Sequence, residues 1–304
     1  MAISRHQLVK ELEPGLNALF GLEYNRYDNQ HAEIYTSESS DRAFEEEVML
    51  SGFGNASVKS EGSGVAFDNA QESYSARYTH ETVALAFAIT EEAIEDNLYD
   101  RISSRYTKAL ARSMSNTKQV KAAAPLNNGL PSVDGFDSGD GVSLFNTSHS
   151  TVSGTSVKNT LTTQADLNET SLEQAMIDIS GMTDERGLRI AAKAVKMIVP
   201  SANQFAAERL MKSQGRVGTA DNDINALGSM GMIPQGYRVN NFLTDTDSFY
   251  IITDVPNGMK MFTRAPLTTA MEGDFDTGNV RYKARERYSF GVSDYRGIFG
   301  VEGA

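Results

Sequence analysis

The sequence predicts a mixed protein of the α+β class, in which sheets and helices share one core. Three observations support this prediction: one helix of unusual length over Thr90 to Ala124, an alternation of helix, strand and helix between Leu172 and Gly215, and strand-like stretches at Glu47 to Phe87 and Val280 to Phe290. A chain of 304 residues with 40% hydrophobic residues is long and apolar enough to bury such a core.

The N-terminal segment predicts a helix with one apolar face. A capping-box pattern begins at Ser4, and leucines recur at helical spacing as far as Phe20. Pro14 and Gly15 interrupt this pattern, so we expect the helix to break there. Residues 1–45 are therefore expected to form an arm with one apolar side.

Residues 46–89 predict a long β-hairpin with a flexible tip. Two strand-like stretches, Glu47 to Phe53 and Tyr74 to Phe87, flank a middle that is rich in Gly, Ser, Asn and Ala around Lys59 to Asn69. Two strands alone cannot bury enough apolar surface to be stable in water. The hairpin is therefore expected to need a second surface to lie on.

The long helix predicts a rod that braces something extended. Thr90 is its expected N-cap and Pro125 its expected end. Six apolar residues recur at intervals of four along it: Ile94, Leu98, Ile102, Tyr106, Leu110 and Met114. About 32 residues with a rise of about 1.5 Å each give a length of about 50 Å, which is more than a compact domain requires.

The middle of the chain predicts an irregular segment followed by regular structure. Residues 126–166 are turn-rich and are expected to form an irregular surface insertion. Leu172, Met176, Ile179 and Met182 then share one helical face. We expect Thr170 to cap this helix and Gly187 to close the segment.

A strand, a helix and a loop are predicted next. Ala194 to Val199 reads as a buried strand that Pro200 ends, and a helix is expected from Ser201 to Gly215. Residues 216–236 contain four glycines and predict a long loop. A loop of about 20 residues is unusual within a compact domain and usually makes contacts outside itself.

Three strands are predicted near the C-terminus. Phe249 to Thr253 and Met259 to Thr263 flank Asn257-Gly258, which is a strong hairpin signal. Val280 to Phe290 predicts a long strand with apolar residues on one face. Its other face carries a ladder of cations, whose carboxylate partners are expected on the same subunit or on another: Arg281, Lys283, Arg285 and Arg287.

Composition argues against several classes of protein. The net charge of −12 and the pI near 4.9 argue against a protein that grips nucleic acid through its overall charge. The chain has no cysteine, which excludes disulfides and thiolate chemistry and suits a reducing cytosolic origin. Neither a secretory signal nor an apolar run long enough to span a bilayer is present. We expect a soluble protein without membrane contact.

No motif predicts an enzyme, a cofactor site or a metal site. The four histidines lie far apart and lack zinc-binding spacing: His6, His31, His80 and His149. Two groups of aspartates could bind a hard cation, although solvated loop carboxylates are the commoner interpretation: Asp134, Asp137 and Asp140, and Asp221 with Asp223. Gly52 begins an incomplete dinucleotide fingerprint, and no phosphate-binding lysine motif or nucleophile elbow occurs.

The order of these elements resembles that of the major capsid proteins of tailed bacteriophages with the Hong Kong 97 type fold. The resemblance covers nearly the whole chain from about residue 40. Several short sequences also resemble the major head subunits of the phage Mu-like group: Leu144-Phe145 with His149, Asn159 to Thr162, the Leu172 helix, Val199-Pro200 and Gly291 to Gly297.

The resemblance implies a division of the chain into four parts. These are an N-terminal arm (1–45), an extended loop formed by the β-hairpin (46–89), a peripheral domain (90–125 with 278–304) and an α/β axial domain (126–277). The long helix would then be the spine helix of the peripheral domain. The loop at 216–236 would lie nearest a local symmetry axis.

The resemblance also implies a structural function. The chain would be a major capsid protein that assembles with itself, as hexamers and pentamers, into an icosahedral shell around the double-stranded DNA of a tailed phage. No scaffolding segment precedes the arm, so a separate scaffolding protein is expected, with a portal and, as a further option, a decoration protein. Assembly would occur in the host cytoplasm, the mature location would be the virion, and contact with packaged DNA would be non-specific.

Two sets of residues are candidate contacts between subunits. The first lies at the hairpin tip and comprises Lys59, Gly62, Gly64 and Phe67; the second is the cation ladder Arg281, Lys283, Arg285 and Arg287. The tip glycines would let one sequence fit different angles between neighbours. Some relatives join subunits through a Lys to Asn isopeptide bond, for which Lys59 is a candidate without a recognisable acceptor.

Two other functions remain open at this point. An encapsulin-like compartment shell would share the fold but would enclose protein cargo. A soluble hydrolase would need a cluster of titratable groups that the sequence does not supply. Imaging of purified protein would separate shells of either kind from a monomeric enzyme.

Overall fold

A computed structural model describes residues 5–90, 92, 99–133, 135–215, 223–274 and 278–304. Its α-helices α1 to α5 span Arg5–Tyr24, Tyr99–Asn128, Glu169–Ser180, Gln204–Lys212 and Ala226–Met230. Its strands β1 to β12 span Thr36–Ser39, Phe44–Leu50, Glu72–Thr79, Glu81–Ile89, His149–Ser150, Ser156–Val157, Ala194–Val199, Tyr237–Val239, Phe249–Thr253, Met259–Gly273, Val280–Val292 and Ile298–Val301. Short 3₁₀ turns occur at Gln30–Glu33, Ser201–Asn203 and Tyr295–Gly297.

Two four-stranded sheets organise the fold. The first sheet has the order β1-β10-β11-β4, with β1 parallel to β10 and the other neighbours antiparallel. The second sheet has the order β12-β9-β7-β8. The strands β2 and β3 pair only with each other, as do β5 and β6. The mixture of helices and two sheets confirms the predicted α+β class.

Helices α1 and α2 cover one face of the first sheet. Leu16 and Phe20 of α1 and Leu110 and Met114 of α2 form a buried cluster with Tyr282 of β11. The buried side chains of α2 follow the 3.6-residue period of a helix: Ser103, Thr107, Leu110, Ala111, Met114, Ser115, Gln119, Ala122, Ala123 and Leu126.

The predicted seam of residues four apart along the long helix is therefore wrong in part. Leu110 and Met114 are buried as expected, but Tyr106 is 54% exposed. Each residue of an α-helix turns the chain by about 100°, so a step of four residues overshoots a full turn by about 40°. Residues at a strict spacing of four therefore leave the buried face after a few steps. The side chains of Ile94, Leu98 and Ile102 lie outside the described residues.

Two prolines do not end helices where the sequence suggested. Helix α1 continues through Pro14 and Gly15 to Tyr24, and α2 continues through Pro125 to Asn128. A proline removes one backbone donor and usually disrupts the preceding turn. Here burial on both sides of Pro125, by Ala122 and Leu126, holds the helix against the core in spite of that cost.

The main hydrophobic core lies around the second sheet and takes in the 126–166 segment. Leu144 and Phe145 are fully buried there, as is the polar side chain of Asn159. A Cβ atom on Gly300 of β12 would lie 2.5 Å from the Phe145 ring, so this strand must carry a glycine. The segment is irregular, as predicted, but it is not a surface insertion because its apolar side chains fill the core.

The predicted secondary structure of residues 168–215 is largely confirmed. Leu172, Met176 and Ile179 of α3 are buried, as is Met182 just after the helix, and β7 has the predicted bounds. The predicted N-cap at Thr170 is wrong, because Asn168 caps the helix. The side chain of Asn168 accepts a hydrogen bond from the Ser171 amide, and the Ser171 hydroxyl accepts one from the Asn168 amide. The helix ends before Gly181, six residues earlier than Gly187, and α4 ends at Lys212.

In two predicted hairpins, the strands pair differently from what the sequence suggested. The stretch Tyr74 to Phe87 divides at His80 into β3, which pairs with β2, and β4, which pairs with β11. The strands β9 and β10 on either side of Asn257-Gly258 lie in different sheets and do not pair with each other. Asn257 does take a left-handed φ of 60°, so the turn chemistry was correct although the pairing was not.

Several predicted features lie outside the described residues. These are the Ser4 cap, the first turns of the long helix, Asp134, Asp221 and residues 216–222 of the predicted loop. The rest of that predicted loop is not wholly irregular, because it contains the short helix α5. Within the described part of the chain, no helix combines the length and the apolar character needed to cross a membrane.

Candidate assembly surfaces

The base of the hairpin, formed by β2 and β3 and called here the hairpin root, is fixed to its own subunit by two tyrosines. A Cβ atom on Gly291 would lie 2.5 Å from the ring of Tyr78, and one on Gly139 would lie 2.5 Å from the ring of Tyr74. Each tyrosine therefore packs directly on the backbone of a glycine. Tyr78 also packs edge-on against Phe262, with 4.8 Å between ring centroids.

Polar contacts reinforce the hairpin root around Ser293. The Ser293 hydroxyl contacts Glu47 of β2 and the hydroxyl of Tyr78 of β3. Glu47 also pairs with the Lys260 ammonium at 2.5 Å. Burial alone would lower the pKa of Lys260, but the hydrogen bonds and charges of Glu47 and Glu38 outweigh burial, so the pKa is raised.

A buried ionic group lies next to these contacts. The Arg296 guanidinium donates to Glu185 at 2.7 Å and contacts Asp294 at 3.3 Å. Burial raises the pKa of Asp294 in spite of the opposing charge of Arg296. Glu185 also accepts a hydrogen bond of 2.9 Å from Ser73 at the start of β3. The direction in which the hairpin leaves the body is thus set by the body's own buried residues.

His149 is a structural residue. Its ring stacks on Tyr295 at 3.8 Å between centroids, and its Nδ1 lies 2.7 Å from Asp140. Burial alone would raise the pKa of Asp140, but hydrogen bonds from His149 and Ser138 outweigh burial and lower it. Asp140 is therefore committed to a protein contact. Among the described residues, no group of three or more potential ligands could hold a metal ion.

The far part of the hairpin, residues 51–71 and called here the distal loop, has no strand and little contact with its own body. Its residues Lys59, Gly62 and Gly64 are exposed, and the side chains of Val58 and Phe67 are each 97% exposed. One tie to the body is an ion pair of 2.8 Å between Asp68 and Arg186. The distal loop thus presents large apolar side chains that its own subunit does not cover.

The second candidate set forms one face of β11, called here the cationic face. Arg281, Lys283 and Arg285 are exposed and Arg287 is half-buried, whereas Tyr282, Ala284 and Tyr288 between them are buried. The predicted alternation along this strand is correct. Arg281 pairs with Asp274. No contact within the described residues brings the distal loop to the cationic face of the same subunit.

Sequence reasoning missed two charged residues of the first sheet. Glu286 points to the core, where its carboxylate accepts hydrogen bonds from Tyr24 of α1 at 3.2 Å and Lys118 of α2 at 3.3 Å. Burial raises the pKa of Glu286 above 4.5, although Lys118 and Tyr24 oppose this rise. Arg264 of β10 also escaped notice, because nothing in its sequence context marks it. A glutamate at a core position of an alternating strand was the available signal for Glu286.

Comparison with known structures identifies the fold. The chain is similar to a protein of the capsid of Myoviridae phage XM1, with 12% identity, 89% of each chain covered and a TM-score of 0.55. It is similar to a virus-like particle from Pyrococcus furiosus, with 10% identity, coverage of 95% and 98% and a TM-score of 0.53. It is also similar to the capsid of an empty GTA particle, with 16% identity, coverage of 90% and 89% and a TM-score of 0.52. These likenesses show a fold of the Hong Kong 97 type.

Sequence comparison gives the family. No curated protein sequence matches the chain. The sequence pattern of the phage capsid protein family, however, matches residues 73–301, which is well over half of the chain. The match runs from β3 to the end of β12 and so includes the whole second sheet and three of the four strands of the first. The chain therefore belongs to the phage capsid protein family.

Proposed function

We propose that this major capsid protein closes its shell mainly through the distal loop, which lies across an adjoining copy. The chain is a structural subunit of a phage head rather than an enzyme, as its family indicates. The observation that carries the proposal is the 97% exposure of Val58 and Phe67 on a loop that its own subunit leaves uncovered. Large apolar side chains in such positions mark interaction surfaces.

The geometry of the loop suits a shell of many copies. A slender segment that lies on a neighbour buries much surface area with few residues. Each contact can then be weak, because a shell contains many of them. Gly62 has a φ of 78°, and nothing lies within 4 Å of the space that a Cβ atom would take there. The tip can therefore adopt the different angles that hexamers and pentamers require.

The remaining parts of the chain are assigned by the same proposal. We assign residues 1–45 to the arm, 46–89 to the extended loop, 90–125 with 278–304 to the peripheral domain, and 126–277 to the axial domain. Strand pairing links these parts, because β11 lies between β4 and β10 while β12 joins the second sheet. The contact residues proposed between subunits remain Lys59, Gly62, Gly64 and Phe67 of the distal loop and the cationic face of β11.

The proposal includes partners and a place of assembly. The shell would be built in the host cytoplasm with a separate scaffolding protein and a portal, and a decoration protein could coat it. The net charge of −12 would limit adhesion of the wall to packaged double-stranded DNA, by a repulsion that salt weakens. Contact with DNA would then be non-specific.

An encapsulin-like compartment is the second candidate. A virus-like particle from Pyrococcus furiosus has a similar fold, so the fold alone does not choose between a phage head and a protein compartment. The match to the phage capsid protein family favours the phage head. A hydrolase is not favoured, because the family that the chain matches is one of capsid proteins.

Deletion of residues 56–70 tests the proposed role of the loop. We expect soluble subunits that keep the circular dichroism of the intact protein, because the hairpin root stays in place, but that form no shells in negative-stain images. A matched variant replaces the same residues by glycine and serine and so keeps the length of the loop but removes Val58 and Phe67. If either variant built normal particles, the distal loop would not be the bracing element.

A further inference from the structure

An uncompensated group of cations lies at one end of the cationic face. Arg287 of β11 is opposite Ala265 of β10, and Arg264 bulges out of the register next to that position. The Nε atoms of Arg264 and Arg287 are both buried and have no hydrogen-bond partner within the described residues. Neither guanidinium has an ion pair in the same part of the chain.

His80 adds a third basic group to this place. Its ring nitrogens lie 2.9 Å from the Ser40 hydroxyl and 3.0 Å from the Ser289 hydroxyl. Burial lowers the pKa of His80, and the charges of Arg287 and Arg264 lower it further, against the opposing effect of Glu45. The two guanidinium groups therefore lie close enough to act on His80.

Such an arrangement is costly without an anion. Buried donors are paired in nearly all native structures, because an unpaired one loses its hydrogen bonds to water and gains none in the protein. The chain carries 40 acidic residues against 28 Lys and Arg, yet none of the described ones pairs with Arg264 or Arg287. Two guanidinium groups without an ion pair suit one carboxylate, since arginine binds that group with two parallel hydrogen bonds.

The distal loop offers a complementary carboxylate. Its acidic residues are Glu61 and Asp68. Asp68 is engaged by Arg186 and the Gly54 amide. Glu61 lies in the exposed turn before Gly62 and has no partner in the described part of the chain. An unpaired acid and a pair of unpaired bases thus lie on two surfaces that do not meet within one subunit.

We propose that Arg264 and Arg287 form a seat for the Glu61 carboxylate of a second copy. This inference rests on the proposed role of the distal loop and adds the residues that would orient it. The seat would fix where the tip lies on its neighbour, while Val58 and Phe67 would supply most of the buried apolar area. Lys283 and Arg285, flanked across both neighbouring strands by alanines and Thr268, would act through weaker long-range attraction.

Packaged DNA is the rejected alternative occupant. Phosphates of a duplex recur along an extended backbone and are bound by open arrays of lysine and arginine. The Nε atoms of Arg264 and Arg287 are buried instead, and Arg287 is the least exposed cation of the cationic face. A single carboxylate reaches buried donors more readily than a duplex does.

A charge exchange tests the seat. We expect Arg287→Glu, and separately Glu61→Arg, to raise the protein concentration needed for half-assembly by about tenfold or more, measured by light scattering and microscopy. The double variant with both changes should recover assembly to within about threefold of wild type, because the exchanged pair attracts again. The matched control pairs Glu61→Arg with Lys283→Glu, which we expect not to recover.

A second experiment does not depend on a reversed charge. The chain has no cysteine, so Glu61→Cys with Arg287→Cys introduces the only thiols. Under mild oxidation, assembled particles should show covalent multimers on a denaturing gel, whereas Glu61→Cys with Lys108→Cys, on the exposed side of α2, should not. Circular dichroism of each unassembled variant checks that the subunit is folded.

Each outcome supports or overturns the seat. Recovery by the exchanged pair together with selective cross-linking supports it. Wild-type assembly of Arg287→Glu, equal recovery by the Lys283 control, or the absence of cross-links in closed particles overturns it. Normal shells that lose only DNA retention would assign the seat to phosphate and also overturn it. If instead the 56–70 deletion assembled normally, the proposed role of the whole loop would fail.

Discussion

At the scale of single residues, buried charges connect the helices to the strands. Glu286 joins α1 and α2 to β11 through Tyr24 and Lys118, and its other carboxylate oxygen has no partner among the described residues. Ser293 and Glu185 likewise connect the body to the hairpin root. These side chains determine how rigidly the assembling surfaces are presented.

Glu286 predicts a pH dependence of stability. Its pKa is raised by burial, so the folded subunit favours the protonated form. Its contribution to stability is then complete below the unfolded pKa of about 4.3 and is lost as the pH rises through the folded value. The free energy of unfolding of wild type minus that of Glu286→Gln should therefore fall as the pH rises above the unfolded pKa.

Urea unfolding of the unassembled subunit measures this difference. Glu208→Gln is the control, since the Lys212 hydrogen bond and charge lower the pKa of the exposed Glu208 and give the opposite slope. A difference for Glu286→Gln that rises with pH would show that Lys118 and Tyr24 outweigh burial.

Single residues were also where sequence reasoning was least complete. The apolar character of α2 was evident from the sequence. Tyr106, however, is aromatic like a core residue but lies on the exposed side of the helix. The cap of α3 was predicted at Thr170 instead of Asn168. Asn168 and Ser171 exchange hydrogen bonds between side chain and backbone, and this pairing exists only in the folded turn. Arg264 could not be found, since its position next to Arg287 depends on the pairing of β10 with β11.

At the scale of elements, the hairpin root determines the direction of the distal loop. The tyrosines at positions 74 and 78 point from β3 into spaces that Gly139 and Gly291 leave open. Because the distal loop has no strand of its own, any shift of β3 would be carried to its tip. We therefore expect substitutions of the two glycines to impair assembly.

Substitution of Gly291 tests this element. Gly291→Ala should force the Tyr78 ring off the strand, cost about 1 to 3 kcal/mol of unfolding free energy and increase protease cleavage near β2 and β3. Gly64→Ala is the matched control, because nothing lies within 4 Å of its Cβ position. It should change stability by less than about 0.5 kcal/mol. Equal stability and equal cleavage of the two variants would contradict this role of the Tyr78 contact.

The types of element were more predictable than their connections. Patterns of spacing identified α3, β7 and the alternating β11 because each depends on neighbouring residues. The division at His80 and the separation of β9 from β10 were missed, because sheet membership depends on distant strands. Pro14 and Pro125 were misread as helix ends, since tertiary packing outweighed a local rule.

At the scale of the whole molecule, the order of elements was enough to predict the fold of the Hong Kong 97 type, and the family match confirms the phage capsid function. The contacts between subunits remain proposals, because they depend on a surface that one chain does not contain. What one subunit does show is a body with its own core, a fixed hairpin root and a distal loop whose apolar residues are left uncovered.

Cryo-microscopy of particles assembled from the purified protein tests this account most directly. It predicts closed icosahedral shells in which Val58 and Phe67, each 97% exposed in the single subunit, are buried against an adjoining copy. Closed shells in which both side chains remain in solvent, or a distal loop that folds back onto its own subunit, would contradict it.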